Sequence, residues 1–516
     1  MTSLDTCPKS VVELLFSMAL DNNFRSTTFL KSQEKRFIKS LRRTDITLFI
    51  VAAIISLDTI ATIATGGPQS LFWAVFVAFT FLIPIAMLMA ETGSAFPEEG
   101  GLYQWVKFAY GRFTAGIASV LYWITNPLWL GGSLCFIAFD AFSSHIIEIK
   151  SGSIGEWIFK LGFVWAAIFL AIINLKLGKN FISAGAIAKV TVISMLVLTT
   201  AIYGVQNGFE PFETSKLAPT LGGFIAIAPV ILFSYVGFEA PNAASDEMFD
   251  AKKDTAPAIR RGSIIATLAY LLPVLAIILI VPADQVEGLT GFMGAISEVF
   301  SVYGGAADAL ITLAALLFIF GLLSLGSAWM MATDRIQAIA SADGAFFGGG
   351  LGVFSERFGT PVRVNILSGF MSTAFLIAAM TLVEGDVASV FAVVLTCAIS
   401  TLLVSYVIII PSVMKLNRNV RNISRPYEVP GGVRGFQILG TILFIYICIG
   451  SIGVLFPGTL EGIFGLDYDF QEIWGMSRAS VQAFTAGTMA TVILISVVGY
   501  LGGRKLRQSL SAEKEI

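Results

Sequence analysis

The segment IISLDTIATIATGGPQ (54–69) sets a carboxylate, Asp58, in the middle of an apolar run that ends on Gly66, Gly67 and Pro68. A second segment, APVILFSYVGFEAPNAASDE (228–247), brackets Phe238 and Glu239 between Gly237 and Pro241. Both sit within stretches of about 20 apolar residues, the length that crosses hydrocarbon as a helix. Main-chain groups at that depth must be hydrogen-bonded, so a helix that breaks there is expected to face a protein-lined cavity where a ligand replaces the lost partners. Glycine and proline also merely kink membrane helices, which is the alternative for either segment taken alone.

The surrounding composition fixes the class of protein. Of 516 residues, 56% are hydrophobic and 13% charged, with a mean hydropathy of +0.81, whereas soluble domains carry about 25% charged residues. Apolar runs recur near 46–65, 71–96, 114–142, 155–175, 183–205, 222–248, 262–282, 306–335, 362–384, 387–415, 434–457 and 480–502, which predicts an all-α integral membrane protein of twelve transmembrane helices. The two interrupted runs are the first and the sixth. That offset is what two inverted five-helix repeats (helices 1–5 and 6–10) with broken helices 1 and 6 would produce, two further helices being peripheral, and transport is the natural use of such symmetry.

With the N-terminus inside, only Lys150, Lys160, Lys216 and Arg478 of the 33 lysines and arginines fall on the far side, so both termini are expected in the cytoplasm. Residues 1–45 then form a cytoplasmic tail containing a short amphipathic stretch, VVELLFSMAL (11–20), residues 46–502 the membrane domain, and residues 503–516 a second tail. Lys252, Lys253, Arg260 and Arg261 are expected in a loop retained on the cytoplasmic side. Asp140 and Lys160 are expected at outer helix ends, in reach of water. A net charge of −2 advertises no nucleic-acid surface. The scattered Cys7, Cys135, Cys397 and Cys448 and the lone His145 offer no spacing for a metal, and the cysteines are read as buried thiols. No cofactor is implied.

A carboxylate at bilayer depth costs about 2.5–3.5 kcal/mol and is expected to face a partner or a cavity. Asp58 either pairs with a substrate ammonium or exchanges a proton, or else caps a helix end or pairs with a neighbouring helix. Glu239 suits proton coupling, or else bonds permanently to the first helix. Half-helix ends offer amides to a carboxylate and carbonyls to an ammonium, so Ser56, Leu57, Asp58, Thr59, Ser234 and Gly237 are the candidate substrate-binding residues, with Tyr235 and Phe238 as aromatic gates.

The stretch AETGSAFPEEGGLYQWVKFAYGRF (90–113), with FSYVGFEAPNAASDEM (233–248) and SAWMMATDRIQAIASADGAFF (327–347), resembles signatures of the amino acid-polyamine-organocation transporter superfamily, in family order. The resemblance covers roughly 40–505. It implies that superfamily's fold and the transport of amino acids or amines across the cytoplasmic membrane by antiport or proton-coupled symport, the partners being a small-molecule substrate, a proton or counter-substrate, and the lipid bilayer. GLLSLGSAWMMATDR (321–335) is most similar to bacterial glutamate/γ-aminobutyrate-type exchangers. By that likeness Trp329 lines the substrate chamber and Glu239 takes the acidic position of helix 6, concerned with substrate or proton sensing. The chain departs from the pattern where many relatives carry a glycine-rich segment and it has Leu57, Asp58 and Thr59. A carboxylate there disfavours a naked substrate carboxylate and favours an amine. Some relatives place a lysine in helix 5. Here Ser194 takes the matching register, and Lys189 is expected to snorkel to the cytoplasmic interface. A membrane-embedded enzyme and a transporter-derived sensor are the rivals from other classes, and neither has a distinctive motif.

Overall fold

The computed structural model describes residues 39–512 except 174, 211–213, 283–284 and 384; the stretch 11–20 and Cys7 lie outside the described residues. The chain is all-helical, with no strand among the described residues beyond an isolated bridge between Leu41 and Met248. In chain order the helices that build the bundle are α1 (Arg43–Ile54), α2 (Leu57–Ala64), α3 (Pro68–Ala95), α4 (Leu102–His145), α5 (Ile154–Ile172), α6 (Gly178–Asn207), α7 (Leu221–Ser234), α8 (Ala251–Ile280), α9 (Ala307–Ala342), α10 (Val362–Leu382), α11 (Val387–Asn419), α12 (Gly432–Leu455) and α13 (Arg478–Gly502). Among the described residues ten helices are long and apolar enough to cross a membrane; α1 and α2, bent by 46° at their junction, make an eleventh span when joined.

Local chemistry sets the helix ends. Thr220, Asp386 and Ser477 accept the amides of Gly223 (3.1 Å), Ser389 (2.8 Å) and Ser480 (3.2 Å), which starts α7, α11 and α13 with capped amides. Pro68 opens α3, where its missing N–H costs nothing. The helix α7 stops after Ser234 because Gly237 adopts φ +112°, outside the helical region, and Pro241 follows. A short 3₁₀ helix, Ala240–Glu247, resumes the chain.

Several helices extend past their hydropathic windows. The element α4 opens with helical turns from Leu102, but Gly111 leaves the helical region (φ +83°, ψ 176°), so its long helix starts close to the expected 114; α9 runs to Ala342, and the expected basic loop at Lys252–Arg261 forms the first turns of α8. Hydropathy marks the hydrocarbon crossing, and a helix carrying charged residues continues beyond it. Lys160, expected within reach of water, is not exposed. Its side chain is fully buried, 2.6 Å from Glu156 and 3.3 Å from the centre of the Phe136 ring, so an ion pair and a cation–π contact replace water. Cys135 and Cys397 are buried, whereas Cys448 is only partly so.

Candidate functional site

A helix that stops leaves its last four carbonyls without amide partners. At the end of α1 these are Ala52, Ala53, Ile54 and Ile55, and side chains meet every one. Lys189 Nζ donates to Ala52 O (2.6 Å) and Ile55 O (2.7 Å), Trp329 Nε1 to Ala53 O (2.6 Å), and Tyr270 OH to Ile54 O (2.6 Å). The same Tyr270 hydroxyl accepts the Ser56 amide at 2.9 Å. The break is therefore a built feature held from α6, α8 and α9. Its carbonyls are occupied, so recognition of an amine falls to the side chain that follows them.

That side chain is Asp58, fully buried at the start of α2. Trp129 Nε1 and Ser133 Oγ each donate to Oδ2 at 2.7 Å, and Ser56 Oγ donates to Oδ1. All three donors are neutral. The nearest cation in electrostatic reach, Lys189, is committed to the break. On the neighbouring face Thr59 Oγ1 accepts from Ser234 Oγ at 2.8 Å, which ties the two interrupted segments together beside Asp58.

The second interruption packs against α9 through its glycine. A Cβ on Gly237 would lie 2.8 Å from Cζ2 of Trp329, so only glycine fits this approach as well as this φ. Trp329 also meets Tyr122 and Trp129, with ring centres 5.6 and 6.0 Å apart. Glu239 is buried and receives two phenols on one oxygen, Tyr122 OH at 2.6 Å and Tyr406 OH at 2.5 Å; Oε2 is enclosed without a partner. The two breaks thus bring Asp58 and Glu239 to opposite edges of one aromatic cluster.

On the end of the bundle that carries both described termini, the motif 90–113 takes part in three sets of ion pairs, giving carboxylates to two and cations to the third. Arg335 bridges Glu99 (3.0 Å) and Glu247, joining the turn after α3 to α9 and to the 3₁₀ segment. Asp343 holds Lys107 (2.7 Å) and Arg112 (2.9 Å), and Glu91 holds Arg425 (2.7 Å). Burial, reinforced by Asp246 and opposed by Lys252, pushes the Glu98 carboxyl in this seam up to about 7. At the opposite end a cavity of about 500 Å³ opens between α2, α7 and α11, beneath the connection from α12 to α13. Its floor is one helical turn from the site: Thr62 Oγ1 donates to Asp58 O (3.4 Å), and Ser234 Oγ lies 2.7 Å from Val230 O, with Thr62 and Val230 both lining the cavity.

A family model described as amino acid permease matches residues 41–464, most of the chain. The chain belongs to the amino acid permease family. It is accordingly a membrane transporter and not an enzyme. Among similar proteins, an uncharacterized transporter of Legionella pneumophila is 26% identical over 417 residues, 79% of this chain and 87% of that protein. A probable agmatine/putrescine antiporter, AguD, of Lactococcus lactis is 24% identical over 477 residues, 90% of this chain and 95% of that one. An aspartate-proton symporter of Bacillus subtilis is 25% identical over 438 residues, covering 80% and 79%. In structure, a crystallised manganese transporter of Eremococcus coleocola superposes with a TM-score of 0.58 at 14% identity, covering 93% of this chain and 97% of that one, a likeness of fold alone.

Within this transporter the expected site residues divide. Ser56, Asp58, Thr59, Ser234, Gly237, Glu239 and Trp329 gather around the two breaks. Leu57 turns instead to α9, where a Cβ on Gly321 would meet its Cδ1 at 3.2 Å. Tyr235 is directed away, with its hydroxyl on Ala74 O (3.1 Å) and its ring against Tyr270. Phe238 is fully buried. Glu239 bonds to α4 and α11, not to α1. Lys189 does not snorkel, since it is fully buried at the break, whereas the Ser194 hydroxyl is spent on Val190 O (2.7 Å). Sequence reasoning missed Tyr122 and Trp129, seven residues apart on α4, and Ser133, which follows them within a π-helical bulge at Leu130–Leu134. It also missed Tyr270 and Tyr406.

Proposed function

We propose that the chain carries amino acids or related small amines across the cytoplasmic membrane by alternating access, and that Asp58 receives the substrate's ammonium group. The observation that carries this reading is a buried carboxylate beside a helix break, clasped only by neutral donors, with the carbonyls around it already engaged. An arriving ammonium offers Asp58 the charge partner that Ser56, Trp129 and Ser133 do not. Ser56, Thr59, Ser234 and Gly237 then border the bound molecule, and Trp329 walls it. Glu239, with one free oxygen, takes the proton or senses the counter-substrate.

The basic residues around the stitched end support placing it, with both termini, in the cytoplasm. The 500 Å³ cavity then faces outward. Counting α1 with α2, and α7 with Ala240–Glu247, as single discontinuous spans restores twelve crossings between the two tails. Substrate enters from the cavity, the Thr59–Ser234 bond yields, and the Arg335 bridges part as the opposite end opens. A cationic amine is favoured over an acidic amino acid by the charge of Asp58 and by likeness to a protein named for agmatine and putrescine. Exchange of such an amine fits this better than uptake of a naked carboxylate.

Asp58→Asn tests the assignment. In proteoliposomes its uptake of agmatine, putrescine and amino acids should fall about 100-fold, equivalent to about 3 kcal/mol for a lost buried charge pair, with normal insertion. Near-normal uptake would remove Asp58 from the binding role.

A further inference from the structure

The cavity above the site has walls of unequal chemistry. Aliphatic side chains and the hydroxyls of Thr62, Thr65 and Thr396 line most of it, and Glu461 is the single charged residue among the described residues that border it; no lysine, arginine or histidine does. Glu461 belongs to the lid between α12 and α13, on a short helix (Thr459–Ile463), and is only 8% exposed. It pairs with no lysine or arginine among the described residues, in contrast to Glu91, Glu99 and Glu247 at the other end. This carboxylate therefore borders the cavity with no cation to pair it among the described residues, and a cation entering the cavity supplies that partner.

The lid is ordered around this residue. Trp474 Nε1 donates to Tyr468 OH at 2.7 Å, and both rings face the cavity with Phe391. Asp469 caps the helix Phe470–Trp474 through the amides of Gln471 (2.8 Å) and Glu472 (3.2 Å), and Met476 seats the lid on Val393 and Val481. Burial, with the Glu461 carboxylate close by, pushes the Tyr468 phenol up to about 12. A carboxylate beside aromatic faces is a recurrent way to hold an ammonium, by charge and by cation–π attraction together.

We propose that this outer cavity is a second substrate subsite, in which Glu461 binds the ammonium of a cationic amine before it passes the Thr59–Ser234 floor to Asp58. The inference rests on the amine-transport reading given above and adds to it a selectivity step at the mouth. Two carboxylates stand in series along the route, with the hydroxyls of Thr62 and Thr59 between them, so a primary amine moves from one anion to the next. A substrate with net negative charge meets Glu461 first and is disfavoured before it reaches the centre.

The test uses the full chain in proteoliposomes, with agmatine and putrescine as probes and a neutral zwitterion, alanine, for comparison. Glu461→Gln should raise KM for both cations about 10-fold, leave kcat within about twofold, and leave KM for alanine unchanged; Glu461→Asp should recover part of the loss. Equilibrium binding separates the two sites. Asp58→Asn should retain weaker, saturable agmatine binding that is lost when Glu461→Gln is added. Complete loss of saturable binding in Asp58→Asn alone would overturn the outer subsite and leave the central one standing. An unchanged KM for the cations in Glu461→Gln overturns it as well. Cation binding that survives both substitutions together would sink the outer subsite and the Asp58 assignment alike. Failure of the wild-type chain to bind either cation would do the same.

Discussion

At the end of the bundle that carries the described termini, buried carboxylates meet cations: Glu99 and Glu247 share Arg335, Asp343 holds Lys107 and Arg112, and Glu91 holds Arg425. At the opposite end Glu461 faces a cavity with no cation beside it among the described residues. The two ends of one permease therefore close by different means. Paired charges seal the first with specific, breakable contacts, whereas the Ser234–Thr59 hydrogen bond and aromatic rings packed edge to face floor the second. The difference teaches which end must spend energy to open, and so which way this conformation faces.

Breaking the seal should have the largest effect on this contrast. Arg335→Ala leaves Glu99 and Glu247 buried without their cation, a loss of about 3–5 kcal/mol for a broken buried pair. Transport should fall more than 10-fold, with the stitched end becoming permeable to thiol reagents, and Arg335→Lys should recover part of the activity. Flux assays and labelling in the same vesicles check both. The waist between the two ends comes next. Gly237→Ala adds a methyl group 2.8 Å from the Trp329 ring at a φ of +112°, a combined strain of about 1–3 kcal/mol. Uptake should drop about 10-fold while the fold, followed by thermal unfolding, survives.

The smallest effect concerns pH at the seal. Glu98 is held protonated up to about pH 7 by burial, with Asp246 adding to the shift and Lys252 opposing it. Its folded-state value lies above that of the unfolded chain, so its contribution to stability is complete below about pH 4.5 and is lost as pH rises through 7. The unfolding temperature of the purified protein should fall across that window, and Glu98→Gln should flatten the fall. A profile that steepens instead would mean that the carboxylate, not the acid, belongs to the closed seam.

The membrane class and both interruptions were legible because they rest on composition and on residues with few structural uses. A carboxylate amid apolar residues, or Gly237 and Pro241 within one run, constrains the backbone wherever it falls. The partners were not legible. Trp129, Ser133 and Tyr122 are ordinary residues on a helix wrapped in protein on all sides, and nothing local distinguishes a ring that bonds Asp58 from one that packs. Lys189 was misplaced for a geometric reason. The helix α6 is already formed at Gly178, earlier than the apolar window at 183, so Lys189 lies at least about 16 Å along it, deep enough to reach the break. The carbonyls of α1, expected to be free for a guest, are taken by Lys189, Trp329 and Tyr270, which shifts recognition onto Asp58. Long-range pairings such as Glu91 with Arg425 join residues far apart in the chain and carry no periodic signal.

Access to the two ends can be read directly with a membrane-impermeant methanethiosulfonate reagent. In a background lacking Cys7, Cys135, Cys397 and Cys448, Thr62→Cys reports the cavity and Ser245→Cys the stitched end, where the serine is 3% exposed. The account predicts rapid labelling of Thr62→Cys from the side opposite the termini, and slow labelling of Ser245→Cys that accelerates when Arg335→Ala is added. Rapid labelling of Ser245→Cys with Thr62→Cys protected would contradict it.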